Sequence, residues 1–168
     1  MGLFGSILKP KLFRSSEILG IAEDALQFAL EASEDSHPNE YMGQLRGTDA
    51  RKLGLDRDGT VITDVLLAPG TKTNPVSAEF NPSYLPNDPN SIGSVHSHPN
   101  GVLRPSDADL ATFSRGKIHI IVGAPYERNN WRAFDRDGDP TTLDVLDVEL
   151  PDDQFFDFTQ EDIDQELR

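Results

Sequence analysis

Residues 94–109 have the sequence SVHSHPNGVLRPSDAD. An apolar segment leads into this stretch and predicts a β-strand, which Pro99 ends because proline cannot continue a strand ladder. His96 and His98 are two residues apart, and side chains alternate along a strand, so both imidazoles point to one face while Ser97 points away. The sequence therefore predicts a pair of histidines at the end of a strand.

The second half of the stretch predicts a short helix. Ser106 follows Pro105 and is a favourable N-cap, which places Asp109 three residues into the helix. Ser106 and Asp109 also match a capping box with Asp in place of the usual Glu or Gln. Capping and metal binding are compatible interpretations of these two residues.

The chemistry of the combined residues points to a metal. Imidazole nitrogens suit zinc, and catalytic zinc sites use three protein ligands with a fourth position left open. An isolated His-x-His pair is more often solvated or structural than metal-binding. The full pattern of His96, His98 and Asp109 on one strand–loop–helix unit is far more specific, and it predicts one bound metal ion per chain. The ligand types favour Zn²⁺, and iron or cobalt would bind the same set.

Two separate segments of the sequence resemble the motifs of a known family. His96-x-His98, seven further residues and then Ser106-x-x-Asp109 resemble the JAMM motif of MPN-domain metalloproteases. That family also has an upstream string Pro-x-Glu-x-x-Gly-x-Leu-x-Gly, and residues 38–47 read PNEYMGQLRG, which fits at every fixed position. The resemblance covers roughly residues 15–150.

The resemblance implies a role for each matched residue. His96, His98 and Asp109 would be the zinc ligands. Glu40 would be the general base that accepts a proton from water and later returns it to the departing amine. Ser106 would donate a hydrogen bond to the oxyanion. The spacing between Glu40 and His96 is longer than usual in this family.

The composition excludes some functions. The 168 residues carry 15 basic and 29 acidic side chains, a formal net charge of −14. Nucleic acids and anionic membranes attract cationic surfaces, so neither is an expected partner. Acidity with few lysines and no cysteine favours a salt-loving, archaeal-type source, although an ordinary acidic protein has the same signature. No run of about 18 apolar residues predicts a membrane span, and the cytoplasm is the expected location.

The chain is expected to form one α+β domain with a mixed β-sheet flanked by helices, an α/β sandwich of the cytidine-deaminase-like type. Residues 1–14 form an apolar and basic arm, residues 15–150 the catalytic MPN domain, and residues 151–168 an acidic tail. A long loop is expected at residues 69–91, around a short strand near Ser77–Phe80. The predicted helices cover residues 15–36, capped by Ser15 or Ser16, and 106–115; the predicted strands are 41–47, 51–55, 61–68, 92–96, 118–123, 131–134 and 142–150.

Two further histidines are assigned structural positions. His37 precedes Pro38 and is expected to be a surface residue that ends the first helix. His119 lies in an apolar strand and is expected to be a buried structural histidine. Neither is a predicted metal ligand.

The resemblance, together with the archaeal-type composition, implies zinc-dependent cleavage after the C-terminal Gly-Gly of ubiquitin-like small archaeal modifier proteins, from conjugates or linear fusions. Two alternatives stay open. The same site could release sulfur-carrier proteins or cut other peptides, or the domain could bind a ubiquitin-like protein without turnover. Oligomeric state is not specified by the sequence.

Overall fold

The computed structural model describes residues 17–67, 72–73, 78–79 and 90–151. The N-terminal arm 1–14, the acidic tail from Asp152 and most of the predicted loop 69–91 lie outside the described residues. Within these ranges, two helices, one short 3₁₀ helix and ten strands form in chain order. These are β1 (Ile18–Ala22), α1 (Glu23–Ser36), β2 (Met42–Asp49), the 3₁₀ helix (Ala50–Leu53), β3 (Thr60–Leu67), β4 (Lys72–Thr73), β5 (Ala78–Glu79), β6 (Ser91–His98), α2 (Asp107–Phe113), β7 (Ile118–Gly123), β8 (Trp131–Asp135), β9 (Pro140–Thr141) and β10 (Val145–Leu146).

Eight of these strands form one mixed sheet in the order β10-β1-β3-β2-β6-β7-β8-β9. The pairs β1–β10, β1–β3 and β6–β7 are parallel, and the other neighbours are antiparallel. Strands β4 and β5 pair separately as a small antiparallel ladder, which overlaps the strand predicted near Ser77–Phe80. The predicted α+β class with a mixed sheet is confirmed.

The helices cover opposite faces of the sheet. On one face, Leu26 and Ala29 of α1 belong to a large apolar cluster with Val95, Ile120 and neighbouring residues. On the other face, a smaller cluster joins Phe113 of α2 to Ile121 and Phe134. Because successive residues of a strand point to opposite faces, β7 contributes to both clusters, with Ile120 in the larger and Ile121 in the smaller. Neither helix in the described part of the chain is both long and apolar enough to cross a membrane.

The predicted first helix, residues 15–36, is wrong in its first part. Residues Ile18–Ala22 form strand β1, and the helix begins at Glu23 with Ala22 as its N-cap. β1 is nearly continuously buried and lies between β3 and β10. A short apolar run covered on both faces fits a central strand as well as a helix, so spacing alone does not separate them. The end of the helix at Ser36 agrees with the prediction, whereas the proposed caps Ser15 and Ser16 lie outside the described residues.

Two other predicted strands are also corrected. Instead of a strand at 51–55, Ala50–Leu53 form a 3₁₀ helix in which Asp49 accepts a hydrogen bond from the Arg51 N–H at 3.0 Å. Only Ala50 of that segment is buried, so the segment lacks the apolar face that a strand needs. Of the predicted strand 142–150, only Val145–Leu146 form a strand, and they pair with β1 at the opposite edge of the sheet. The residues that pair with β8 are Pro140–Thr141, which lie just before the predicted strand.

The elements that carry the motif follow the prediction closely. β6 runs to His98, α2 begins at Asp107, and β7 has the predicted limits Ile118–Gly123. Gly93 allows β6 to approach β7, because a Cβ there would lie 1.6 Å from the carbonyl oxygen of Ile118. The strand–loop–helix unit is therefore held by pairing on both sides of β6.

Candidate metal centre

The two histidines of the motif lie at the C-terminal end of β6, in the middle of the sheet. His96 pairs with Met42 of β2 on one side and with Ile121 of β7 on the other. Both imidazoles are buried and face α2, as the alternation along the strand predicts. The Nδ1–H of His98 donates to the carbonyl oxygen of Val102 at 2.7 Å, so the loop after Pro99 orients this ring and leaves Nε2 to face Asp109.

Asp109 reaches the histidines from the first turn of α2. Its N–H donates to the Ser106 hydroxyl at 3.2 Å, and its carboxylate accepts from the Ser106 N–H at 2.7 Å, which completes a capping box. The carboxylate also lies 3.2 Å from His96 Nδ1 and 2.9 Å from His98 Nε2. Ser106 itself is exposed. The structure thus brings His96, His98 and Asp109 together, with Ser106 on the solvent side.

Burial and pairing control the charges of these groups. Burial lowers the pKa of His96 to about 4, which keeps this ring neutral at pH 7. Burial also acts on His98 in that direction, but the hydrogen bond and charge of Asp109 outweigh it and raise the pKa of His98. Burial alone would raise the pKa of Asp109, yet the neighbouring histidines and the Ser106 N–H lower it to about 2. Asp109 is therefore an anion, and it binds His98 directly.

The donor set fits a metal such as zinc. Four-coordinate zinc with bonds of about 2.0–2.1 Å places its ligand atoms about 3.3 Å apart. The separation of 3.2 Å between His96 and Asp109 matches that value, whereas the 2.9 Å between His98 and Asp109 is a direct hydrogen bond. Among the described residues, no three His, Cys, Asp or Glu side chains are already spaced around a common metal position. Metal binding at these residues would replace the proton shared by His98 and Asp109.

Glu40 lies beside this centre. Burial, Asp109 and the Val102 carbonyl have the larger effects on the pKa of His98, and burial and Glu34 on that of Tyr126; the charge of Glu40 adds a smaller upward shift to both, so its carboxylate lies on the side of the site that faces these two residues. The next residue, Tyr41, is fixed to β6 by two hydrogen bonds: its N–H donates to the Ser97 hydroxyl at 2.6 Å, and its carbonyl accepts from the Ser97 N–H at 2.8 Å. Glu40 is consequently held next to the strand that carries the histidines.

His37 is exposed, as expected, and its Nδ1 lies 2.9 Å from the hydroxyl of Tyr126. This contact joins the end of α1 to the loop after β7.

Sequence reasoning missed Ser94 and underrated His119. The Ser94 hydroxyl lies 3.1 Å from His96 Nε2 and 2.7 Å from His119 Nδ1, and His119 Nε2 donates to the carbonyl oxygen of Phe113 at 2.8 Å. His119 is buried and structural, as predicted, but it also contacts a residue that holds His96. The available signal was the spacing of Ser94, His96 and His98, which places all three on one face of β6.

The fold and this group of buried donors define a class, namely a hydrolase-type metal site built on a strand–loop–helix unit. Comparisons with known proteins agree with it. Residues 19–155 match the family model of the halobacterial JAB/MPN domain protein. The chain is 61% identical over 158 residues to a probable metalloprotease of Haloferax volcanii, covering 94% of this chain and 98% of the relative.

Solved structures give the same result. One is a structure described as "JAMM: A Metalloprotease-like Zinc Site in the Proteasome and Signalosome". It is 30% identical to this chain, with a TM-score of 0.56, and the match covers 77% of this chain and 99% of the other. A JAB1/MPN domain protein from Archaeoglobus fulgidus is 31% identical, with a TM-score of 0.55 over 76% and 99% of the two chains. The chain belongs to the JAMM/MPN family of metalloprotease domains, which confirms the resemblance noted in its sequence.

Proposed function

We propose that this metalloprotease domain is a zinc-dependent isopeptidase that cleaves after the C-terminal Gly-Gly of ubiquitin-like small archaeal modifier proteins. The observation that carries the proposal is the convergence of three buried side chains, in which the Asp109 carboxylate lies 3.2 Å from His96 Nδ1 and 2.9 Å from His98 Nε2, within the electrostatic influence of Glu40. In the proposal these three residues hold the zinc. Bound zinc would supply a Lewis acid and make a water molecule a stronger acid.

Glu40 moves the protons in the proposed reaction. Its carboxylate accepts a proton from the attacking water and then delivers it to the lysine amine as the carbon–nitrogen bond breaks, so that water and the amide become an acid and an amine. The link between Tyr41 and Ser97 supports this role, because it fixes the peptide adjacent to Glu40 against the strand of metal ligands. A general base must lie within hydrogen-bond reach of the proton that it takes.

Ser106 stabilises the developing negative charge. Its oxygen already accepts the Asp109 N–H at 3.2 Å, which orients the side chain and leaves the hydroxyl hydrogen free to point toward substrate. Its exposed position supports contact with a substrate carbonyl. Removal of one such donor typically lowers turnover by about 100- to 1000-fold.

Two features support a protein substrate. Val102 and Leu110 are exposed apolar side chains that flank the site, since the Val102 carbonyl binds His98 and Leu110 follows Asp109. Both side chains are accessible to a folded modifier that approaches the site. The acidic composition and the Haloferax volcanii relative support a halophilic archaeal setting, in which small archaeal modifiers are the matching substrate class.

The test is a cleavage assay in molar salt with a ubiquitin-like modifier joined through Gly-Gly to a lysine of a second protein. The proposal expects release of the intact modifier, and loss of that release on addition of a zinc chelator. A matched substrate in which the Gly-Gly is replaced should stay intact, and a substrate with the same tail on an unrelated head should be cleaved more slowly.

Each alternative has a distinct result. Equal cleavage of any protein with the same tail would indicate a broader peptidase, such as one that releases sulfur-carrier proteins. Binding of the modifier with a chelator-insensitive dissociation constant and no turnover would overturn the enzyme proposal in favour of a binding module.

A further inference from the structure

His119 is an unusual residue for the middle of an apolar strand. It is fully buried, and its ring stacks on that of Phe113 with centroids 4.1 Å apart and an angle of 4° between the planes. Its Nε2 lies 2.8 Å from the carbonyl oxygen of Phe113, the last residue of α2. A carbonyl only accepts hydrogen bonds, so the proton of this ring belongs on Nε2.

Ser94 connects His119 to His96. The Ser94 hydroxyl lies 2.7 Å from His119 Nδ1 and 3.1 Å from His96 Nε2. In a neutral His119 protonated on Nε2, Nδ1 is an acceptor, and the serine hydroxyl must donate to it. The serine oxygen then has only lone pairs for His96, so the chain of hydrogen bonds is complete when His96 Nε2 carries a proton and donates.

These assignments leave the other nitrogen of His96 without a proton. Its Nδ1 presents a lone pair to the Asp109 carboxylate 3.2 Å away, so two acceptors face each other. Burial lowers the pKa of both His96 and His119, in agreement with neutral rings. A lone pair that faces a carboxylate is unfavourable by itself and becomes favourable when a cation binds both.

We propose that Ser94 and His119 are positioning residues that hold the His96 imidazole as the Nε2–H tautomer and so direct its Nδ1 lone pair at the metal. The chain of hydrogen bonds runs from His96 through Ser94 and His119 to the Phe113 carbonyl, and it ends on the same helix that supplies Asp109. The tautomer of a metal-binding histidine is set by the hydrogen bond of its other nitrogen, and loss of that bond lowers metal affinity.

The two histidine ligands therefore present different ring nitrogens to the proposed metal. His98 donates from Nδ1 to the Val102 carbonyl and presents Nε2, whereas His96 donates from Nε2 and presents Nδ1. The proposal rests on the metal site proposed above but not on the substrate. Its tests are therefore independent of peptidase activity.

The first test is long-range ¹H–¹⁵N NMR of the imidazoles in metal-free, ¹⁵N-labelled protein at pH 7 in molar salt. The chain has four histidines, so each ring can be assigned with single variants. His96 and His119 should both be neutral and protonated on Nε2. A proton on His96 Nδ1, or a doubly protonated His119, would overturn the proposal whether or not the enzyme cleaves anything.

The second test is zinc affinity, measured by competition with a chromogenic chelator. Ser94→Ala should raise the dissociation constant for zinc by about 10- to 100-fold, the usual effect of removing a group that orients a ligand. Ser94→Thr keeps the hydroxyl, and a cavity of about 50 Å³ beside Ser94 and His119 can receive the added methyl group, so it should restore affinity.

Ser33→Ala is the matched control, because Ser33 is also buried and donates its hydroxyl to the Ala29 carbonyl at 2.7 Å in α1. It should leave zinc affinity unchanged. Wild-type affinity in Ser94→Ala, or equal loss in Ser94→Ala and Ser94→Thr, would overturn the role of the hydroxyl. If the wild-type protein binds no zinc, the proposed function fails, while the NMR result still decides whether the hydrogen-bond chain exists.

Discussion

The two faces of the central sheet differ in what they bury. The face under α1 is apolar, and its members include Leu26, Val95 and Ile120. The face under α2 contains a smaller apolar cluster around Phe113 together with the buried polar groups of the metal centre. Both faces are built from alternate residues of the same strands, so stability and chemistry are separated by the direction of a side chain and not by position along the chain.

The largest expected difference between the faces comes from removing the proton-transfer group of the site, which should lower activity without lowering stability. Glu40→Gln should lower turnover by about 100- to 10,000-fold, because an amide can neither accept nor return the proton. Zinc affinity and the melting temperature should stay at wild-type values, since Glu40 is outside the proposed ligand set. Cleavage rates and chelator competition measure the two effects.

Glu31→Gln is the control for Glu40→Gln, because it removes one negative charge from the exposed surface of α1. It should leave turnover unchanged. A wild-type rate in Glu40→Gln would contradict the proposed mechanism, and loss of zinc in that variant would place Glu40 among the ligands.

A second comparison uses Ile120 and Ile121, successive and fully buried residues of β7 that point to opposite faces. Replacement of either by alanine should lower the free energy of unfolding by about 2–5 kcal/mol, as is usual for large-to-small changes in a core. Only Ile121→Ala should also weaken zinc binding, because Ile121 pairs with His96 and packs on Phe113. Chemical denaturation measures the free energy of unfolding, and zinc titration measures the zinc affinity. Equal zinc affinities for the two variants would show that zinc binding does not depend on which face loses its side chain.

Alkaline pH should lower the stability that the apolar face under α1 contributes. Burial raises the pKa of Tyr41 from 10.0 to about 12, so the folded protein holds the phenol proton more tightly than the unfolded chain. The associated stability is fully present below pH 10 and is lost as the pH rises through about 12, a loss of about 2–3 kcal/mol. Denaturation at pH 9 and pH 12 should show this loss in the wild type and less of it in Tyr41→Phe; identical losses would exclude Tyr41 as the cause.

Acidic pH should lower the stability that the face of the metal centre contributes. Because pairing lowers the pKa of Asp109 from 3.8 to about 2, its stabilising effect in the metal-free protein is present above pH 4 and is lost as the pH falls through about 2. The loss should be about 2 kcal/mol. Acid denaturation of Asp109→Asn should follow a shallower slope over this interval, and a slope equal to that of the wild type would contradict the assigned pKa.

Much of the site could be predicted because its residues are local in sequence. His96, His98 and Asp109 lie on one strand–loop–helix unit, in which alternation and capping fix the directions of the side chains. Glu40 lies far upstream and required the family string, since no local signal separates it from a solvated acid. The contribution of Ser94 required knowledge that His119 of the neighbouring strand lies opposite it.

The errors in the fold have a related cause. β1 was predicted as the start of a helix because its apolar residues lack clear alternation, and only the pairing with β3 and β10 gives them a reason to be extended. The same non-local pairing limits the predicted strand 142–150 to Val145–Leu146, which pair with β1. Such contacts join distant parts of the chain, and local propensity carries no information about them.

The pairing of β1 with β10 also bears on synthesis. Ile21 donates its N–H to the Asp144 carbonyl at 2.8 Å, and Ile21 lies opposite Val145 in the ladder. A ribosome releases β1 long before β10, so one edge of β1 keeps open hydrogen-bonding groups while most of the domain is translated. The unit β6–α2–β7 is contiguous and leaves the ribosome before β10. The segment that carries the proposed metal ligands is therefore synthesised before the sheet can be closed at its far edge, and that closure requires residue 146 to leave the exit tunnel.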